Sequence, residues 1–162
     1  MKKINYFIVF IFLLILVSSC AGYKPLYTTN LKFEIADHTL KNNKKISQQI
    51  YSKLYYLSKS SSDPDAQSIT VTIDTKKDKV ATAKDDAGNV LEYRINLNSH
   101  IIIEDYLTGK ELLNNYFSSS SSYEVQDQHS ETIKLQNNIE RDLVNIIYQN
   151  LITMMAESLL SK

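Results

Sequence analysis

The chain has 162 residues, with 18 Lys and Arg against 18 Asp and Glu and a formal net charge of zero. That length suits one domain, and that balance argues against a nucleic-acid binder, whose affinity comes largely from a basic face. One cysteine excludes an intramolecular disulfide and a cysteine zinc cage, while 3 Gly and 2 Pro exclude collagen-like or flexible-linker composition.

The first residues differ from the rest. Lys2 and Lys3 give a basic start, and Tyr6 to Val17 (YFIVFIFLLILV) carries no charged or amide side chain. Small residues, Ser18 and Ser19, then precede Cys20. These are the parts of a secretory signal peptide. Spanning a bilayer takes about 20 apolar residues, so an uncleaved anchor is the weaker alternative. Val17-Ser18-Ser19-Cys20 also resembles the bacterial lipobox, with Val where Leu is commoner. That resemblance implies cleavage between Ser19 and Cys20, an S-diacylglyceryl group on the Cys20 thiol, and N-acylation of the new amine with a chain such as palmitate. Each buried acyl CH₂ adds roughly 0.8 kcal/mol, and two chains already hold a protein stably on a membrane. Ala21 stands where a sequence resembling an inner-membrane retention signal would have Asp, and the resemblance implies a protein of the outer membrane, lipid-anchored on its periplasmic side. The expected organisation is a signal peptide over 1–19, a lipidated tether over 20–30 and one domain over 31–162. Without Lys2 and Lys3 the remaining 143 residues hold 16 basic and 18 acidic groups.

Within the domain, Leu31 to Ile35 alternates apolar and polar, which predicts a half-buried strand. Asp37 or Thr39 is placed to cap a helix from about Lys41 to Ser58, whose apolar face is Ile46, Ile50, Leu54 and Leu57. Ile69, Val71 and Ile73 predict a second strand; the pattern loosens over Lys76 to Lys79 and resumes weakly to Lys84. Asp85 to Asn89 is a turn with Gly88 free to take positive φ. From Leu91 to Ile103 the odd positions are mostly apolar, and Arg94, Asn96, Asn98 and His100 face the other way. Leu107 to Lys110 closes a hairpin onto a strand running from Leu113 to Tyr123 through five consecutive serines, for which a disordered loop is the alternative. Ile139, Leu143, Ile146, Ile147, Leu151, Met154 and Met155 form the stripe of a final helix, with a start near Ser130. The order β-α-β-β-β-α predicts an α+β two-layer sandwich, a mainly antiparallel sheet with two helices on one face and a second face left wet.

No enzymatic chemistry stands out. His38, His100 and His129 are too far apart to form a recognisable metal-ligand pair, and no G-x-S-x-G elbow or phosphate-cradling glycine loop occurs. Asp63 and Asp65 flank Pro64, and Asp85 and Asp86 precede Gly88, so they read as turn residues. The expectation is a non-enzyme without metal or cofactor beyond the lipid on Cys20. Lys76, Lys77, Lys79 and Lys84 cluster around one strand, and Lys41, Lys44 and Lys45 near the first helix. Such lysines either blunt a sheet edge or face an anionic partner.

Cys20-Ala21-Gly22-Tyr23-Lys24-Pro25-Leu26-Tyr27 is similar to the Cys-Gly-Phe-x-Pro-Leu-Tyr start of the LPS-assembly lipoprotein LptE family in its alphaproteobacterial branch, with Ala21 as an extra residue. Ile101 to Lys110, Ser122-Tyr123-Glu124 and the final helix look like later blocks of that family. The resemblance implies the same sandwich, a place as plug and assembly factor within a large outer-membrane β-barrel translocon (an LptD-like partner), and contact with lipopolysaccharide. Arg94, Lys76, Lys77 and Lys79 are the candidate lipopolysaccharide contacts. An accessory lipoprotein of a periplasm-spanning lipid transporter, or a general outer-membrane scaffold, would share the lipobox and domain type and stays open as the alternative.

Overall fold

The computed structural model describes residues 31–60 and 66–160; the signal peptide, Cys20, the tether, and Asp63 and Asp65 lie outside them. The first strand, β1 (Phe33–Asn42), runs seven residues past Ile35. A bulge explains why strict alternation ends before the strand does. The register shifts between Ile35 and Asp37, so the helix-facing parity passes from Phe33 and Ile35 to His38 and Leu40. Asn42 then takes φ 54°, a left-handed conformation that Asn tolerates. Helix α1 (Lys44–Ser60) begins immediately after. Its cap is Asn43, rather than Asp37 or Thr39: the Asn43 side-chain oxygen accepts from the Ile46 N–H at 3.2 Å, and its carbonyl accepts from the Ser47 N–H at 2.9 Å.

α1 buries Ile46, Ile50 and Leu54 and carries the chain back so that β2 (Gln67–Lys84) lies parallel to β1. A parallel pair needs such a crossover. β3 (Val90–Asp105) and β4 (Glu111–Glu124) then add in antiparallel fashion, giving the order β1-β2-β3-β4. The turn after β2 forms as read: the Asp85 carboxylate accepts from the Asn89 backbone and side-chain amides, each at 2.8 Å, and Gly88 has φ 87°. The serine run is strand, with Ser119 opposite Leu97 and Ser121 opposite Ile95.

Helix α2 (His129–Leu160) closes the fold. Its entry is fixed by the buried Thr132, whose hydroxyl accepts from the Gln126 N–H at 2.9 Å. Leu143, Val144, Ile147, Leu151, Ile152 and Met155 are buried in the core, whereas Ile146 is 48% exposed despite its place in the sequence stripe. Both helices cover the sheet face that bears the odd positions of β2, β3 and β4. The α+β two-layer sandwich is therefore as the element order implied. Inside this apolar layer Thr75 and Ser99, both fully buried, satisfy one another through a 2.9 Å hydroxyl pair.

Candidate functional site

Adjacent residues of a strand point to opposite faces, and this divides the candidate residues. Lys77 and Lys79 share the helix-covered face with Ile73 and Thr75. Lys77 Nζ donates to Glu140 Oε1 at 2.8 Å, and Glu140 is almost fully buried. Burial alone would raise the Glu140 carboxyl, but hydrogen bonds from Lys77 and Gln136, with the Lys77 and Lys45 charges, hold its pKa below the usual range. Lys79 lies 4.0 Å from the Tyr93 ring centroid and 5.4 Å from that of Tyr123, a cation–π pair, and donates to Gln136 Oε1 at 2.8 Å. The Tyr123 hydroxyl donates to the same oxygen at 2.9 Å.

Lys76 and Arg94 belong to the opposite face. No described element covers it. There the paired even positions of β2, β3 and β4 bring Asp78, Asn96, Asn98, Ser118 and Ser120 around a hollow of about 410 Å³. Sharing Asn98, a second hollow of about 300 Å³ is lined by Asp74, Lys76, His100 and Tyr116. His100 stacks on Tyr116 at 4.2 Å between centroids, and a ring nitrogen is 2.8 Å from Asn114 Oδ1. Tyr116 itself is 75% exposed. Arg94 Nε donates to Ser122 Oγ at 3.3 Å. The four candidates thus form no common patch: Lys76 and Arg94 look outward, and Lys77 and Lys79 are engaged by α2 and two tyrosines.

Of the other histidines, His38 stacks on Tyr51 of α1 at 4.0 Å, and His129 opens α2. Among the described residues no group of three or more His, Cys, Asp and Glu is placed to hold a metal ion, and no helix is long and apolar enough to cross a membrane. Sequence reasoning missed Glu140. Its signal was a carboxylate between Ile139 and Leu143 in an otherwise apolar stripe, which calls for a buried cation.

The backbone arrangement has solved counterparts. A minor lipoprotein from Acinetobacter baumannii superimposes with a TM-score of 0.56 at 12% identity, over 78% of this chain and 93% of that one. Rare lipoprotein B from Shewanella oneidensis gives 0.51 at 15% identity, over 78% and 99%. An uncharacterized lipoprotein B from Nitrosomonas europaea gives 0.54 at 15% identity, over 81% and 90%. This chain has the fold of those lipoproteins. No protein-family model and no curated protein sequence matches it, so the likeness lies in architecture. The matched region extends over nearly the whole of each counterpart chain.

Proposed function

We propose that this protein is a non-enzymatic outer-membrane lipoprotein, anchored through acyl chains on Cys20, that plugs and helps assemble an LptD-like β-barrel inserting lipopolysaccharide into the outer leaflet. The observation that carries this reading is the uncovered polar sheet face. Amides, hydroxyls and isolated charges dominate that face, with Tyr116 and Val80 as exposed exceptions, and such a surface suits the polar lumen of a large barrel. The fold shared with solved lipoproteins and the lipobox at Cys20 support the anchored location. The LptE-like start, Gly22 to Tyr27, supports the barrel as partner. On the same reading Lys76 and Arg94 are the residues placed for direct contact with lipopolysaccharide phosphates, and Lys77 and Lys79 act by shaping the domain beneath them.

Extraction in mild detergent and purification through a tag on this chain tests the reading. A stoichiometric large β-barrel protein is the expected companion. Recovery of inner-membrane transporter subunits instead would replace the plug by the accessory-lipoprotein alternative. Cys20→Ala should leave an unprocessed or soluble product, and its continued fractionation with the outer membrane would refute the anchor.

A further inference from the structure

We propose that the cleft between α1 and α2 is a binding site for a phosphoryl group. It lies on the helix layer, away from the open sheet face, and stands independently of the function proposed above. The cleft has a volume of about 540 Å³, within the size range of small-ligand sites. Two helical stripes face each other across it: Lys45, Gln49 and Lys53 on α1, and Asn137, Glu140 and Arg141 on α2. Lys45 and Lys53 are about 12 Å apart along the helix at 1.5 Å per residue.

The charges in the cleft are unbalanced. Lys45, Lys53 and Arg141 form no ion pair among the described residues. The one carboxylate of the lining, Glu140, is bonded by Lys77 from the sheet side and by Gln136 along its own helix. Three cations therefore line the cleft against one carboxylate, Glu140, which feels the Lys45 charge and is already bonded to Lys77. Lys53 is further held over the Tyr148 ring at 5.6 Å, and Arg141 is bonded to Asn138. The first turn of α1 also carries Lys44 and Lys45 and no acid, although the helix dipole favours the opposite sign there. An arrangement that costs local stability at one place and leaves cations unpaired at another is expected where a ligand supplies the missing anion. A guanidinium fork with two ammonium groups and flanking amides suits the several oxygens of a phosphate better than one carboxylate.

Backbone amide spectra of the full chain in zwitterionic micelles, titrated with inorganic phosphate, glycerol phosphate, dihexanoyl phosphatidate and acetate, test this. Saturable shifts confined to residues 45–53 and 137–144 are expected with the phosphates. The combined Lys45→Gln, Lys53→Gln and Arg141→Gln chain should weaken them about tenfold, and Lys134→Gln, elsewhere on α2, less than about twofold. The substituted side chains are exposed or half-buried, and the same spectra report whether the fold is kept. Tighter binding of phosphatidate than of glycerol phosphate assigns the site to a lipid headgroup, and equal binding to a soluble phosphate ester. Absence of saturation, equal shifts with acetate, or undiminished affinity in the triple variant would overturn the proposal.

Discussion

Replacing Lys77 by Met separates a structural role for this lysine from a ligand-binding one. The Lys77–Glu140 contact is 2.8 Å, and the two side chains are 27% and 9% accessible. Breaking a buried pair by removing one partner costs about 3–5 kcal/mol, because the other charge stays desolvated. Here Gln136 still donates to Glu140 at 3.0 Å and Lys77 is partly solvated, which reduces the expected loss to about 2–3 kcal/mol. The pH dependence follows from Glu140. Its folded pKa is depressed, so the pair's stabilisation is fully present above the unfolded value of about 4.3 and is lost as pH falls through the folded one. Without Lys77, burial dominates and Glu140 protonates more readily. Guanidinium denaturation followed by circular dichroism should show the full loss at pH 7 and a much smaller one near pH 3. Lys77→Met combined with Glu140→Leu should recover stability relative to Lys77→Met alone, since it removes the stranded charge. A loss below about 0.5 kcal/mol at pH 7, or one equal at both pH values, would refute the argument.

Three further outcomes test other parts of the structure. Thr75→Val strands the buried Ser99 hydroxyl and should cost about 1–3 kcal/mol, while Thr75→Val with Ser99→Ala should cost less, as measured by denaturation. Asp105 accepts from the Gln67 side chain and from the Thr108 hydroxyl and amide, which hold its pKa at about 2. Carboxyl NMR titration should find it there, with Gln67→Leu moving it up; its contribution to stability is fully present above the unfolded value of about 3.9 and is lost progressively as pH falls from there through the folded value. Asn43→Ala removes the α1 cap and should lower stability by about 1 kcal/mol, with early exchange of the Ile46 amide proton.

The element order and the face carrying the core were legible because periodicity survives wherever the environment is uniform. Ile69, Val71 and Ile73 alternate since one side packs on helices, and all three are fully buried. Legibility failed where local geometry changed the period. The bulge after Ile35 shifts the parity of β1, so Asp37 and Thr39, which have the chemistry of helix caps, belong to the strand. Over Lys76 to Lys79 the apolar pattern stopped while the strand went on, because α2 offers Glu140 and Gln136 at that level in place of apolar side chains. Ile146 shows the converse. Its spacing fits the stripe, but a helix lying on a sheet buries only one side, and 48% of it is left exposed.

The candidate site was harder to read for a reason set by strand geometry. Lys76 and Lys77 are neighbours in sequence and so look like one basic cluster, but the period of two sends them to opposite sides of the sheet. One meets Asn98 and His100 around an open hollow; the other is sealed against a buried glutamate. Lys76 finds its neighbours across the sheet on β3 and Lys77 finds its own on α2, and no window along the chain contains either set. The same rule makes the two positions separable. Lys76→Glu should leave the unfolding free energy within about 0.5 kcal/mol of the parent while weakening binding of lipopolysaccharide to the purified protein. Lys77→Met should do the reverse, losing stability and keeping lipopolysaccharide affinity under conditions where it remains folded. Equal effects of both substitutions on binding would mean that the lysines act as one patch, against their placement on opposite faces.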